Sequence, residues 1–191
     1  MELAGLPVLG FSSASAWQEW LAQNAAGSAG VWLRTAKKGA PDPTISYQEA
    51  LDEALCFGWI DGQKRALDEH YWLQRFTPRK PGSRWSQLNT QKAAALMASG
   101  RMRDAGLREV ELARADGRWD AAYAGQRDAA VPADLRTALD ANPAASEFFE
   151  TISRISRYAI LYRIHSVKRP ETRARKIEQY VQMLAEHKTL H

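Results

Sequence analysis

The chain has little that would fix it by chemistry from outside the fold. It contains a single cysteine, Cys56, so no disulfide can form within it, and a structural thiol is expected there because free cysteine is among the most buried residue types. No run approaches the roughly 20 apolar residues that a membrane span requires. The first residues, Met1-Glu2-Leu3-Ala4, lack the basic start and long apolar stretch of a secretory signal, so a reducing, cytoplasmic setting is expected. No serine-hydrolase elbow or phosphate-binding glycine loop occurs. Its four histidines, His70, His165, His187 and His191, show no metal-ligand spacing. These absences predict a protein without cofactor or metal, stable through its own core, with the oligomeric state left open.

What is present is charge asymmetry and tryptophan. The formal net charge is +4, yet residues 151–191 hold nine Lys or Arg against three acidic residues, while residues 1–150 hold seventeen against nineteen. A basic terminal segment attracts nucleic acid, anionic lipid or an acidic protein surface, unless its charges merely solvate a helix face. Seven tryptophans supply core mass or ring surfaces for a ligand.

Periodicity predicts an α+β fold. A helix is expected over 12–24, started by a Ser15–Gln18 capping box and carrying Trp17, Trp20, Leu21 and Asn24 at helical spacing. Gly27 and Gly30 end it, and residues 30–36 alternate as a strand. Ser46 with Glu49 starts a second helix whose face holds Tyr47, Leu51, Ala54 and Leu55. Residues 56–66 and 70–77 read as two strands around Leu67-Asp68-Glu69, completing a meander of three antiparallel strands; alternatively Asp61-Gly62 turns the chain earlier. A rigid loop over 78–82 leads to a helix capped by Ser83 or Ser86 and stopped by Gly100. Another helix spans 103–115 with Leu107, Val110 and Ala113 inward, after which Trp119 and Tyr123 are expected to pack back on the core.

Residues 124–132 lack periodicity and form a linker or long surface loop. Helical stretches follow over 133–141, 143–164 and 170–188, the last with an apolar stripe of Ala174, Ile177, Val181 and Leu184. The expected organisation is an α+β domain over 1–123 and a basic helical segment over 133–191, which either stands apart or docks as one domain with the first.

Particular blocks narrow this further. Trp20-Leu21 with Asn24, Val31-Trp32-Leu33, EALCFGWIDGQ at 53–63 and FTPRKPGSRWSQLN at 76–89 resemble the YdeI/OmpD-associated family of bacterial proteins. The likeness continues through Gly100-Arg101-Met102, Gly106 and Gly117-Arg118-Trp119, and returns in VKRPETRARKIEQYVQML at 167–184. The resemblance implies a bacteriocin-protection or envelope-stress role, and its name implies association with an outer-membrane porin.

The residues also suggest sites directly. Alternation puts Trp59 and Asp61 on one side of a strand and Arg75 and Thr77 on one side of its neighbour, so Asp61 either orients Arg75 toward an anionic ligand or forms a simple cross-strand ion pair. In the following loop Arg79, Lys80 and Arg84, with the Ser83 or Ser86 amides at a helix start and Asn89 in its first turn, suit phosphate or carboxylate; equally, the serines cap and the cations face water. Trp72 and Trp85 beside these cations also fit a single-strand nucleic-acid surface. In the tail Arg169, Arg173 and Lys176 form a basic stripe with Tyr180, extended by Arg154, Arg157 and Arg163, and are the candidates for partner contact. The expected function is a non-catalytic binding protein for an anionic ligand or acidic partner. The alternatives are an enzyme with Asp61 as base and Arg75 or Arg79 as electrostatic stabiliser, or a nucleic-acid-associated protein acting through its basic C-terminal helices.

Overall fold

The computed structural model describes residues 1–190, which divide into two compact units, Met1–Ala122 and a second one starting at Tyr123. The α+β class holds, with the helices of the second unit following a sheet-containing first unit. The strand count does not: five strands form one mixed sheet in the order β1-β2-β3-β5-β4, rather than three in an antiparallel meander.

The two unexpected strands are β1 (Glu2–Leu3) and β2 (Leu6–Leu9), too short to show a period. They pair antiparallel about Ala4 and Gly5, both at positive φ (51° and 74°), the conformation that a two-residue hairpin turn requires. Asparagine-glycine would have announced that turn; alanine-glycine did not. β2 then runs parallel to β3 (Val31–Ala36), a pairing that needs a crossover, and α1 (Ala14–Asn24) provides it. Ser13 caps α1 by accepting from the Ala16 amide, in place of the expected Ser15–Gln18 box.

α2 (Tyr47–Cys56) begins as its sequence predicts, with Ser46 and Glu49 each bonding the other's backbone N–H. It runs on through Cys56, so the next strand starts later than expected. Gly58, at φ 74°, turns the chain out of the helix into β4 (Trp59–Ala66). Asp61-Gly62 is not a turn but the start of a bulge between Asp61 and Lys64. The buried Gln74 of β5 (Tyr71–Pro78) fills it by donating its side-chain amide to the Gly62 and Gln63 carbonyls, at 2.9 and 3.3 Å. Asp68 closes the β4–β5 turn by accepting from the His70 and Tyr71 amides, which hold its carboxyl below the usual range against the opposing effect of burial.

α1, α2, α3 (Gln87–Ala98) and α4 (Asp104–Ala115) cover one sheet face. Their core centres on Trp17, Leu21, Leu33, Leu55, Trp59 and Phe76, all at most 1 % exposed. Trp17 stacks on Trp20 with ring centroids 5.3 Å apart, Phe11 packs against it at 5.2 Å, and its indole N–H donates to the Ala50 carbonyl. Each such side chain contributes about 1.5–3 kcal/mol by leaving water. Gly106 lets α4 approach α2, because a Cβ there would lie 2.4 Å from the Cys56 carbonyl oxygen. The other sheet face carries a thin second cluster, Leu6, Trp32 and Leu73, with Leu3 folded against it and its carbonyl accepting from the Trp32 indole.

The second unit consists of α5 (Ala133–Asp140), α6 (Pro143–Thr151), α7 (Arg154–His165) and α8 (Pro170–Ala185). The expected helix over 143–164 is two helices, because Ile152 is extended (ψ 154°) and Ser153 starts anew by accepting from the Ser156 amide. Leu135, Leu139, Phe149, Ile160, Ile164 and Leu184 form its core, each fully buried. Ile177, Val181 and Leu184 face inward as the predicted stripe requires; Ala174 is exposed and Tyr180 is buried beside them. Trp119 packs on Trp85 in the first unit, but Tyr123 packs edge-on against Tyr162 within the second.

Candidate functional site

Register decides the first expectation. Asp61 pairs with Phe76 and Trp32 pairs with Arg75, and directly opposed residues share a face. Asp61 therefore lies on the helix-covered side with Trp59 and Phe76, while Arg75 and Thr77 lie on the opposite side. The bulge after Asp61 does not restore the pairing. Asp61 instead accepts from the Tyr47 hydroxyl at 2.7 Å, and Trp59 is a core residue, 1 % exposed. Arg75 is half-buried, with its Nε fully enclosed and not bonded to any acceptor.

The proline loop is turned inward at its centre. Arg79 is 6 % exposed, lies over the Trp85 ring at 3.5 Å and donates to the Arg84 carbonyl at 3.1 Å, so its guanidinium ties the loop to the domain. Ser83 accepts from the Lys80 amide at 2.8 Å, and Ser86, not Ser83, caps α3 by accepting from the Asn89 amide. Arg118 then holds the loop by donating to the Ser83 carbonyl at 2.7 Å. Lys80 is exposed, Arg84 is half-buried, and Trp85 is 2 % exposed; Asn89 is buried as well. The residues expected to form an anion site over 75–89 are thus not all brought together: Arg75 lies across the sheet from Asp61, and Arg79 serves the loop's own geometry.

The tail residues divide similarly. Arg173 donates to both Asp134 oxygens, at 2.5 and 3.0 Å, and to the Ile164 carbonyl at 2.8 Å, so it binds α5 and the end of α7 to α8. Its hydrogen bonds hold the Asp134 carboxyl below the usual range. Lys176 is half-buried, 5.9 Å from the Tyr180 ring, and Arg169 is exposed at the start of α8. Arg157 pairs with Glu150 at 3.2 Å.

Two recesses are lined mainly by other residues. One of about 810 Å³ runs between α1 and the start of α4, bordered by Ala22, Ala25, Phe57, Met102, Arg103 and Arg108. The other, about 630 Å³, lies on the second unit against α5 and α8, floored by Ala138, Ala141, Ala174, Ile177 and Val181 and edged by Asn142, Glu178 and Gln182. Only Arg173 among the predicted site residues borders either. Short alanine side chains leave this second space open, a pattern that the stripe at 174–184 indicated in part.

Sequence reasoning also missed an ion pair between a buried carboxylate and an exposed arginine. Glu53, 5 % exposed, accepts from Arg101 next to Cys56, whose thiol is pushed up to about 11 by burial and by the neighbouring Glu53 charge. A thiol so protonated is a packing group rather than a nucleophile. Among the described residues no group of three or more His, Cys, Asp or Glu is arranged for a metal, and no helix is long and apolar enough to cross a membrane.

Fold and side chains together describe a two-unit α+β protein whose central arginines largely serve its own architecture. The chain belongs to a family described as a domain of unknown function (DUF8412), whose model matches residues 9–109. Residues 128–187 match a second family, described as bacteriocin-protection, YdeI or OmpD-associated, so the C-terminal part carries the YdeI/OmpD-associated assignment. The blocks at 53–63 and 76–89 fall in the first match and the block at 167–184 in the second. No curated protein and no solved structure matches the chain.

Proposed function

We propose that this is a non-catalytic binding protein with a role in bacteriocin or envelope-stress protection, and that its helical second unit is the part that meets a partner. The observation that carries this reading is the coincidence of the bacteriocin-protection match, residues 128–187, with the unit that holds the alanine-floored recess. A concave, mostly apolar space edged by a few polar groups is the usual form of a recognition site. Arg169, which precedes α8, and Lys176, within it, are the cations for an acidic partner, whereas Arg173 maintains the unit itself. The two units, Met1–Ala122 and the one starting at Tyr123, act as separate domains, and a cytoplasmic location suits a buried, unpaired Cys56.

Survival of bacteriocin-challenged cells tests the role. Cells expressing the full chain are expected to outlive cells without it, and the folded variant Ala174→Trp, at an exposed position in the recess, is expected to lose most of that advantage. Equal survival with and without the wild-type chain overturns the role, and undiminished protection by Ala174→Trp removes the recess from it.

A further inference from the structure

The sheet face away from the helices bears three arginines and no carboxylate on its strands. Arg34 of β3 and Arg65 of β4 both pair with Leu73 of β5, which places all three side chains on the side of Trp32 and Leu73. Arg75, paired with Trp32, belongs to the same face, one step of two residues along β5. With strands about 4.8 Å apart and a rise of about 3.3 Å per residue, Arg34 and Arg65 stand about 10 Å apart and Arg75 about 7 Å along the strand from the line between them. Gly62 has no side chain to cover Arg75: a Cβ there would lie 3.8 Å from that of Arg75. At the sheet end Asp68, which accepts from two backbone amides, borders the same recess as Arg34, so the positive field is strongest toward Arg65 and Arg75.

The geometry points to this face as a docking surface for the phosphate backbone of duplex nucleic acid. Three arguments select that occupant. Guanidinium forks match phosphate in planar, paired hydrogen bonds, and this face carries three of them, Arg65 exposed and Arg34 and Arg75 half-buried, with Arg34 4.5 Å from the centre of the Tyr71 ring. A protein partner needs an apolar centre to its interface, but Leu6, Trp32 and Leu73 are already buried, at 7, 2 and 1 % exposure. A single strand needs exposed rings on which to stack its bases, and Trp32 and Tyr71 are buried; duplex bases are stacked already. Contacts of this kind position a protein without reading sequence.

Fluorescence anisotropy of a labelled 20-base-pair duplex with the full chain, from 50 to 200 mM salt, tests the inference. Three phosphate contacts predict a slope of log affinity on log salt of about −2.7, so that affinity falls roughly 40-fold over that range. Arg65→Gln, at an exposed position, is expected to reduce the slope by about 0.9 with an unchanged circular dichroism spectrum, and Arg65→Gln with Arg75→Gln by about twice that. Arg169→Gln with Lys176→Gln is expected to leave it unchanged. The inference falls if no duplex binding appears at 50 mM salt, if a single strand or an acidic peptide binds more tightly than the duplex, or if only the C-terminal variants change the slope. None of these outcomes bears on bacteriocin survival, so the two proposals fail separately.

Discussion

The two units solve the same problem with different materials. All seven tryptophans and eleven of the twelve glycines lie within Met1–Ala122, where a twisted mixed sheet needs tight turns on its edges and large rings to fill the space beneath its helices. The second unit has no tryptophan and closes its core with leucine, isoleucine, phenylalanine and alanine on short helices. Sheet cores bring together residues distant in sequence, as Trp17, Trp59 and Phe76 are, so a single large ring bridges several elements. Helices that follow one another need only a stripe each. The contrast also divides the spectroscopy, since tryptophan emission reports on the first unit alone.

The largest expected effect is at Trp17. Trp17→Ala should cost about 4–5 kcal/mol, combining a cavity with the loss of a donor to the buried Ala50 carbonyl. Urea unfolding followed by tryptophan emission should show it, and a cost under 1 kcal/mol would mean that the ring cluster does not organise the first unit. Phe149→Ala should cost about 3–4 kcal/mol in the second unit. It should appear in helical ellipticity and spare the emission midpoint; equal shifts in both probes would break the comparison by making the units one cooperative body.

A third effect depends on pH. The Cys56 thiol ionises near its ordinary value when unfolded but only at about 11 when folded. Its burial therefore stabilises the fold fully below pH 9, and that stability is lost as pH rises from 9 through 11. The urea midpoint should fall between pH 8 and 10.5, and Cys56→Ala should flatten that fall; an equal fall in the variant would assign it to other groups. The smallest effect is at Arg173. Because Asp134 is half exposed, Arg173→Met should cost only about 1 kcal/mol, read in ellipticity. The folded-state pKa of Asp134 is depressed, so its contribution is present above its unfolded value and disappears as pH falls through the folded one. A midpoint difference between wild type and variant that does not shrink as pH is lowered below the ordinary carboxylate range would refute that pairing.

The helices were legible because their signals are local. Ser46 with Glu49 announces α2, and Asn142-Pro143 and Arg169-Pro170 announce α6 and α8. The break at Ile152–Ser153 escaped because both residues fit a helical pattern until a capping serine competes. β1 and β2 escaped for a different reason: strands of two and four residues have no period, and their turn uses Ala4 in a conformation that sequence preference does not assign to alanine. The site was less legible than the fold because it depended on register. One bulge and one pairing decide whether Asp61 meets Arg75 or Tyr47, and nothing in a single strand's sequence states its partner's alignment. Arg79 shows the remaining limit, since a guanidinium beside proline and tryptophan suits solvent or a ring equally well until the loop's path is known.

The carbonyl of Leu3 over the Trp32 indole has a practical implication. The first few residues act as a lid of backbone across the dry seam of Leu6, Trp32 and Leu73. Proteolytic clipping after Gly5 would strip that lid and turn the seam into a sticky apolar strip beside three arginines. A preparation trimmed at its start is therefore expected to self-associate even where the remainder of the chain is intact.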